Sequence, residues 1–235
     1  IQNLDLNLKD ESKINLLGLI DIQNILNSDL QISGSKISTK NIIQLIENLN
    51  LGFEIKSLPK GILETFNLKY DKGLFELNNL SYQSNLGTNI SLQGEVKNSN
   101  ISDSNLKIEL KSSSSKEVLK FLKEVPSLKN LPLIQFEEIY LDSLLSEGLF
   151  KINALKVING DSDAEINGYI NINDIDDRNL RINLTNFKQL NLIRFPQLKK
   201  IFTNLGLENI NLDCVLLATD LEINNLDIFF SEESM

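Results

Sequence analysis

Three stretches of this chain are copies of one another at a separation of about 75 residues. GLIDIQNILNSDLQI starts at Gly18, GEVKNSNISDSNLKI at Gly94 and GYININDIDDRNLRI at Gly168. In each, an Ile follows the Gly by seven residues (Ile25, Ile101, Ile175), a Leu by twelve (Leu30, Leu106, Leu180) and a second Ile by fourteen (Ile32, Ile108, Ile182). A second trio recurs elsewhere in the period: GLFELNNLSY from Gly73, GLFKINALKV from Gly148 and DLEINNLDIF from Asp220. Leu58-Pro59 and Leu131-Pro132 make a further matched pair. Repetition at this period constrains the fold to an array of like units, which builds one extended surface rather than one pocket.

The residues around each landmark Gly alternate with period two, the signature of a strand with one apolar face. Ile14, Leu16, Gly18, Ile20 and Ile22 share a face, as do Ile90, Leu92, Gly94 and Val96, and Ile166, Gly168, Ile170 and Ile172. A turn leads to a second alternating strand carrying Leu30 and Ile32, Leu106, Ile108 and Leu110, or Leu180, Ile182 and Leu184. Helical spacing follows in TKNIIQLIENL and in SSSKEVLKFLKEV, the latter with Ser114 or Ser115 as N-cap. The third such stretch, 186–204, carries Pro196 and reads as short turns. Two further strands complete the unit, expected at 62–70 and 73–82 and again at 133–142 and 147–158. Each unit is thus about four strands and one helix, joined by short connections that favour antiparallel meanders.

One irregularity recurs. Phe75 and Leu77 share a parity that flips at Leu80 and Tyr82. Phe150 and Ile152 flip in the same way to Leu155 and Val157, and Leu221 and Ile223 to Leu226 and Ile228. A flip at one place in every copy predicts a β-bulge around Asn78-Asn79, Asn153-Ala154 and Asn224-Asn225. Bulges bend strands, so the fold expected is mainly β with short helices. It is an elongated, curved antiparallel sheet forming a trough, in approximate units 13–87, 88–161 and 162–235 of one continuous array. The chain starts at Ile1 and stops soon after its third GLFELNNL-like segment, so the reading expects a fragment of a longer array.

Composition narrows the function classes. The 43 Leu against three Ala suit sheets rather than Ala-rich helices. A net charge of −9 without a basic stripe argues against nucleic acid and against docking by a broad charged face on anionic lipid. There is no His, no CxxC and no Gly-rich phosphate loop, so catalysis has little to stand on and no enzyme, metal or cofactor is expected. Cys214, in the apolar segment LDCVLL, reads as a buried structural thiol rather than a nucleophile. Asn159-Gly160-Asp161-Ser162-Asp163 fails calcium-loop spacing and reads as a polar hairpin turn; Asp174, Asp176 and Asp177 read as a solvated turn. No run of 18 apolar residues exists to cross a bilayer as a helix.

Two features admit two readings each. Gly18, Gly94 and Gly168 mark either a bulge or tight packing, or else room for a ligand chain against bare backbone. The apolar faces are either an ordinary covered core or a groove left open along the array. One short helix per four strands is little cover for such a sheet, which favours the open groove. Its lining is then Ile14, Leu16, Gly18, Ile20, Ile90, Leu92, Gly94, Val96, Leu106, Ile108, Ile166, Gly168, Ile170, Ile172, Leu180 and Ile182.

The block GLFELNNLSY…ISLQGEV…NLKIEL followed by KEVLKFL, repeated as GLFKINALKV…AEINGYI…NLRINL followed by FKQLNLI, resembles the AsmA-like family of bacterial envelope proteins, with its TamB- and YhdP-type members. The likeness spans roughly residues 13–230 and rests on patterns of Leu, Ile and Gly. It implies a taco-like β-groove in the periplasm, tethered to the inner membrane through segments outside this chain. The implied role is conduction of phospholipid acyl chains toward the outer membrane. The alternative is a structural or assembly scaffold for outer-membrane proteins, with a fully covered core.

Overall fold

A computed structural model of the chain describes residues 4–7, 12–19, 21, 27–41, 44, 60–71, 74–97, 101–118, 136–188 and 207–230. Thirteen strands form one sheet. They are β1 (Leu4–Asn7), β2 (Lys13–Leu19), β3 (Asp29–Ser38), β4 (Gly61–Asp71), β5 (Leu74–Ser84), β6 (Thr88–Lys97) and β7 (Asn105–Ser112). Then follow β8 (Glu138–Ser146), β9 (Leu149–Asn159), β10 (Ser162–Asn171), β11 (Arg178–Lys188), β12 (Leu207–Leu216) and β13 (Leu221–Phe230). Sheet order follows chain order, and the pairing is antiparallel, as short connections require. The chain divides into two compact units, residues 1–109 with 145–148 and residues 110–144 with 149–235.

Register makes each unit two-faced. In the first, one rung runs Leu16, Ile32, Leu68, Leu77 across β2 to β5. The next rung runs Ile14, Gly34, Phe66, Leu80, Leu92, and a third runs Gly18, Leu30, Tyr70, Phe75, Val96. Tyr70 and Phe75 bring their ring centroids to 4.7 Å. In the second unit the rungs are Ile166, Ile182, Cys214, Ile223 and Gly168, Leu180, Leu216, Leu221. The alternate positions are polar, as in the row Asn15, Ser33, Asn67, Asn79. Directly opposed side chains sit within contact reach, and each apolar pair contributes about 0.2–1 kcal/mol. A one-residue slip in any strand would turn its apolar set to the polar side, so the rungs hold the register.

The bulges fall where the parity flips. Against β4, Asn67 pairs Asn79 and Leu68 pairs Leu77, leaving Asn78 extra. Against β10, the register jumps between Ile166–Leu155 and Gly168–Ile152, around Asn153-Ala154. Against β12, Asn225 pairs Asp213 and Ile223 pairs Cys214, leaving Asn224 extra. A further irregularity lies between Leu184 and Phe187 of β11, where Asn186 has φ 47° and its N–H donates to Asn211 Oδ1 at 2.7 Å.

Strand β8 departs from the expected 133–142. It occupies Glu138–Ser146 because the two-residue turn to β9 is Glu147-Gly148, both with positive φ (50° and 81°). That backbone matches the twist of flanking strands and fixes the strand ends on either side. The polar hairpin at Gly160-Asp161 and the exposed acidic turn before Arg178 are as expected. Helical backbone begins at residues 39–41 and 115–118. Ser38 Oγ accepts from the Asn41 N–H, and the Ser114 carbonyl accepts from Glu117 and Val118. The rest of the expected helices, the 189–204 part of the third stretch, Leu58-Pro59 and Leu131-Pro132 lie outside the described residues.

Small hydroxyl side chains close the strand ends. Ser28 Oγ accepts the Asp21 N–H and Ser104 Oγ accepts the Lys97 N–H, each at 3.0 Å and seven residues apart. Ser12 Oγ donates to the Lys36 carbonyl and Ser162 Oγ to that of Asn186, each across 24 residues. All four hydroxyl residues are buried. They satisfy backbone groups at the strand ends that the ladder leaves over.

Ser104→Ala should therefore lower stability by about 1–2 kcal/mol, the cost of stranding a buried N–H. Gln93→Ala, on the exposed polar side of β6, should stay within about 0.5 kcal/mol. Urea unfolding of the two variants checks this, and equal midpoints would contradict the buried role of Ser104.

Candidate functional site

Each unit has its own apolar face, built in the first by β2 and β6 and in the second by β10, with the strands beside them. Ile14 is buried, and Leu16, Ile90, Leu92, Val96, Leu106, Ile108, Ile166, Ile170, Leu180 and Ile182 are half-buried. Ile172 is 42% exposed, one residue past the end of β10. Ile20 and Ile22 lie outside the described residues. Register places Ile14, Leu16, Gly18, Ile90, Leu92 and Val96 on one face of the first unit. In the second unit, Ile166, Gly168, Ile170, Leu180 and Ile182 share a face. Leu106 and Ile108 alternate with Asn105 and Lys107 along β7.

The three landmark glycines share one geometry. Their φ values are +126°, +134° and +132°, a region L side chains rarely adopt. A Cβ on Gly18 would meet the carbonyl oxygen of Asp29, one on Gly94 that of Asn105, and one on Gly168 that of Asn179, each closer than 3.0 Å. Each carbonyl belongs to the residue eleven positions on, at the start of the next strand. The space a side chain would need is thus filled by the neighbouring strand's backbone. This close approach excludes other residues at the three positions. Gly94 and Gly168 also sit beside the bulges of β5 and β9, opposite Leu77 and Ile152.

Burial is thin for a sheet of this size. Among the described residues, nine apolar side chains are buried, Tyr70, Tyr82, Ile152 and Cys214 among them. Most of the described rung residues keep part of their surface accessible.

Ion pairs lie on the polar side of the sheet. Lys69 pairs with Glu76 at 3.8 Å, directly opposite it on the polar side. Arg181 reaches Asp213 with two hydrogen bonds, 3.1 and 2.8 Å, a geometry that adds directional strength to an exposed pair. Those bonds hold the Asp213 carboxyl below its usual value, and the Lys188 ammonium does the same for Asp161. Arg178 stands opposite Ile170 at the rim of the second unit's face. Its guanidinium donates to the carbonyls of Leu217, Ala218 and Ile175.

Burial pushes the Cys214 thiol up, away from the reactive thiolate, and Asp213 adds to the shift. Among the described residues, no group of three or more His, Cys, Asp or Glu is placed to hold a metal ion. No helix among them is long and apolar enough to cross a membrane. The hydroxyl closures Ser12, Ser28, Ser104 and Ser162 escaped the sequence reading, although their fixed offsets from the landmark glycines were available as a signal.

No family model matches this chain, no curated protein matches it, and no solved structure matches it.

Gly168→Ala should cost about 2–4 kcal/mol, since both the positive φ and the Asn179 carbonyl oppose a Cβ. Gly160→Ala, where a Cβ meets nothing within 4 Å, should cost no more than about 1 kcal/mol. Chemical denaturation of both variants tests the contrast, and equal losses would refute it. Asp213 supplies a pH test. Its lowered carboxyl stabilises the fold above the usual value of 3.8, and that stabilisation is lost as pH falls through the depressed folded value. Arg181→Gln should therefore make the acid loss of stability below about pH 4 shallower. Urea midpoints at pH 2.5 and pH 5 read this out; unchanged differences between the two pH values would show that the pair contributes nothing.

Proposed function

We propose that this chain is a periplasmic lipid-binding module of the AsmA-like kind, conducting phospholipid acyl chains along an apolar groove between inner and outer membranes. The observation that carries the reading is a sheet face of Leu, Ile, Val and Phe rungs whose side chains remain half-buried. An extended apolar face of this kind marks a binding surface. Acyl chains need only such a surface, because burying CH₂ groups contributes about 0.8 kcal/mol each without directional contacts.

The finer architecture belongs to the same proposal. The chain is an array of units of about 75 residues, each of four strands with one short helix, curving at the bulges into a taco-like trough. Three features at the same place in the period support it: the Asn78 and Asn224 bulges, the jump at Asn153-Ala154, and the glycines that approach the next strand. Charged residues lie on the opposite side in the pairs of Lys69 with Glu76 and Arg181 with Asp213, leaving the face free for hydrocarbon. Tethering to the inner membrane runs through segments outside this chain.

Native mass spectrometry of the purified chain should show co-purified phospholipid. Leu92→Asp and Ile170→Asp should lose that lipid while melting close to wild type, because a half-exposed carboxylate stays hydrated. In a closed core the same carboxylate would cost several kcal/mol. Two unfolded variants would favour the covered scaffold. Folded variants that retain phospholipid would exclude the face as the lipid site.

A further inference from the structure

We infer that the Tyr70 hydroxyl is the polar anchor of the first unit's apolar face, donating a hydrogen bond to the ester carbonyl of a bound acyl lipid. This inference rests on the lipid reading and adds the part of the lipid that is recognised.

Tyr70 is the next-to-last residue of β4 and takes its place in the rung Gly18, Leu30, Tyr70, Phe75, Val96. Its ring packs on that of Phe75, and the residue is only 7% exposed. A tyrosine buried this far ordinarily hydrogen-bonds through its O–H. Among the described residues none does so with Tyr70, whereas Tyr82, the other buried tyrosine, has a partner within the chain. Tyr140 and Tyr169 are exposed and reach water. The Tyr70 oxygen is nonetheless not sealed. Asn209 Oδ1 is the one side-chain polar atom among the described residues that is both fully covered and unpartnered. The hydroxyl therefore remains within reach of a group arriving from outside the chain.

Packing does not call for that hydroxyl. In the second unit the rung Gly168, Leu180, Leu216, Leu221 holds Leu216 at the place of Tyr70. Leu30 and Phe75 are the direct partners of Tyr70 across the ladder, and the rung has no polar side chain to receive an O–H. An acceptor delivered on an apolar ligand would satisfy this donor without displacing an internal bond. Charges at the nearby strand ends choose among acceptors. Asp71 follows Tyr70 and stands directly opposite Asp29, and Lys97 lies two strands away, opposite Leu74. Two carboxylates close by disfavour a phosphate oxyanion beside the hydroxyl and leave the neutral carbonyl of an ester. The ester is also where the hydrocarbon chain begins, so a lipid held there keeps its CH₂ groups on the rungs of Leu, Ile and Phe.

The test uses the whole chain, its Tyr70→Phe variant and two probes kept below their micellar concentrations. These are dioctanoyl phosphatidylcholine and its dioctyl ether analogue, which has the same headgroup and no carbonyls. Isothermal titration calorimetry should give the wild type a preference for the ester of about threefold to tenfold, the range of one hydrogen bond. Tyr70→Phe should bind both probes alike, at the affinity the wild type shows for the ether. It should also melt no lower than the wild type, because no internal bond is lost. An ester preference that persists in Tyr70→Phe overturns the inference, and so does wild-type binding without preference; in both cases the lipid reading stands. Equal weakening of both probes by Tyr70→Phe would assign the hydroxyl to the shared headgroup or to packing, and it also overturns the ester contact. Failure of the wild type to bind either probe would overturn the lipid reading and this inference with it.

Discussion

The structure depends on one constraint: two-residue alternation carried without error from strand to strand. Within the first unit, three rungs hold apolar residues opposite apolar residues or glycine, from β2 through β6. Each pair contributes modestly, but all must shift together if one strand slips, since a slip turns a whole apolar set toward solvent. A bulge breaks this alternation by design. It inserts one residue and reverses parity, and the sequence reverses its apolar pattern at the same point, as Leu77 gives way to Leu80. The pattern and the backbone irregularity are two sides of one requirement.

Glycine and serine both serve that requirement. Gly94 and Gly168 lie beside the bulges of β5 and β9, where the next strand brings its carbonyl into the space of a Cβ. Their positive φ is available to glycine at little steric cost. Ser104 and Ser28 stand ten residues beyond a landmark glycine, and their hydroxyls accept N–H groups that the ladder cannot reach. In the third stretch the equivalent residue is Arg178 and the closing bond is made by backbone instead, from the Asn171 N–H to the Asp177 carbonyl. The position needs an acceptor, and a short side chain or a folded turn supplies it.

Each unit carries an apolar face built this way. Arg178 lies at the rim of the second unit's face, and the pairs of Lys69 with Glu76 and Arg181 with Asp213 are surface pairs of small individual value. The thiol of Cys214 is buried within a rung, opposite Ile182 and Ile223.

Much of this was legible in the residues themselves. Alternation around Ile90, Leu92 and Gly94 gave a strand and its apolar side, and the shared parity flips located the bulges at Asn78, Asn153-Ala154 and Asn224, because backbone periodicity writes directly into side-chain order. The turn at Gly160-Asp161 and the burial of Cys214 followed from local chemistry. Tertiary structure alone decided the rest. β8 lies at Glu138–Ser146 because a two-residue turn with positive φ at Glu147 and Gly148 sets its end, and dihedrals at a non-glycine residue leave no mark in composition. The glycines are required by the carbonyls of Asp29, Asn105 and Asn179, a contact that exists only once two strands are paired. Periodicity tells which side of a strand is apolar. How far that side remains open depends on what packs over it, and only the assembled sheet determines that.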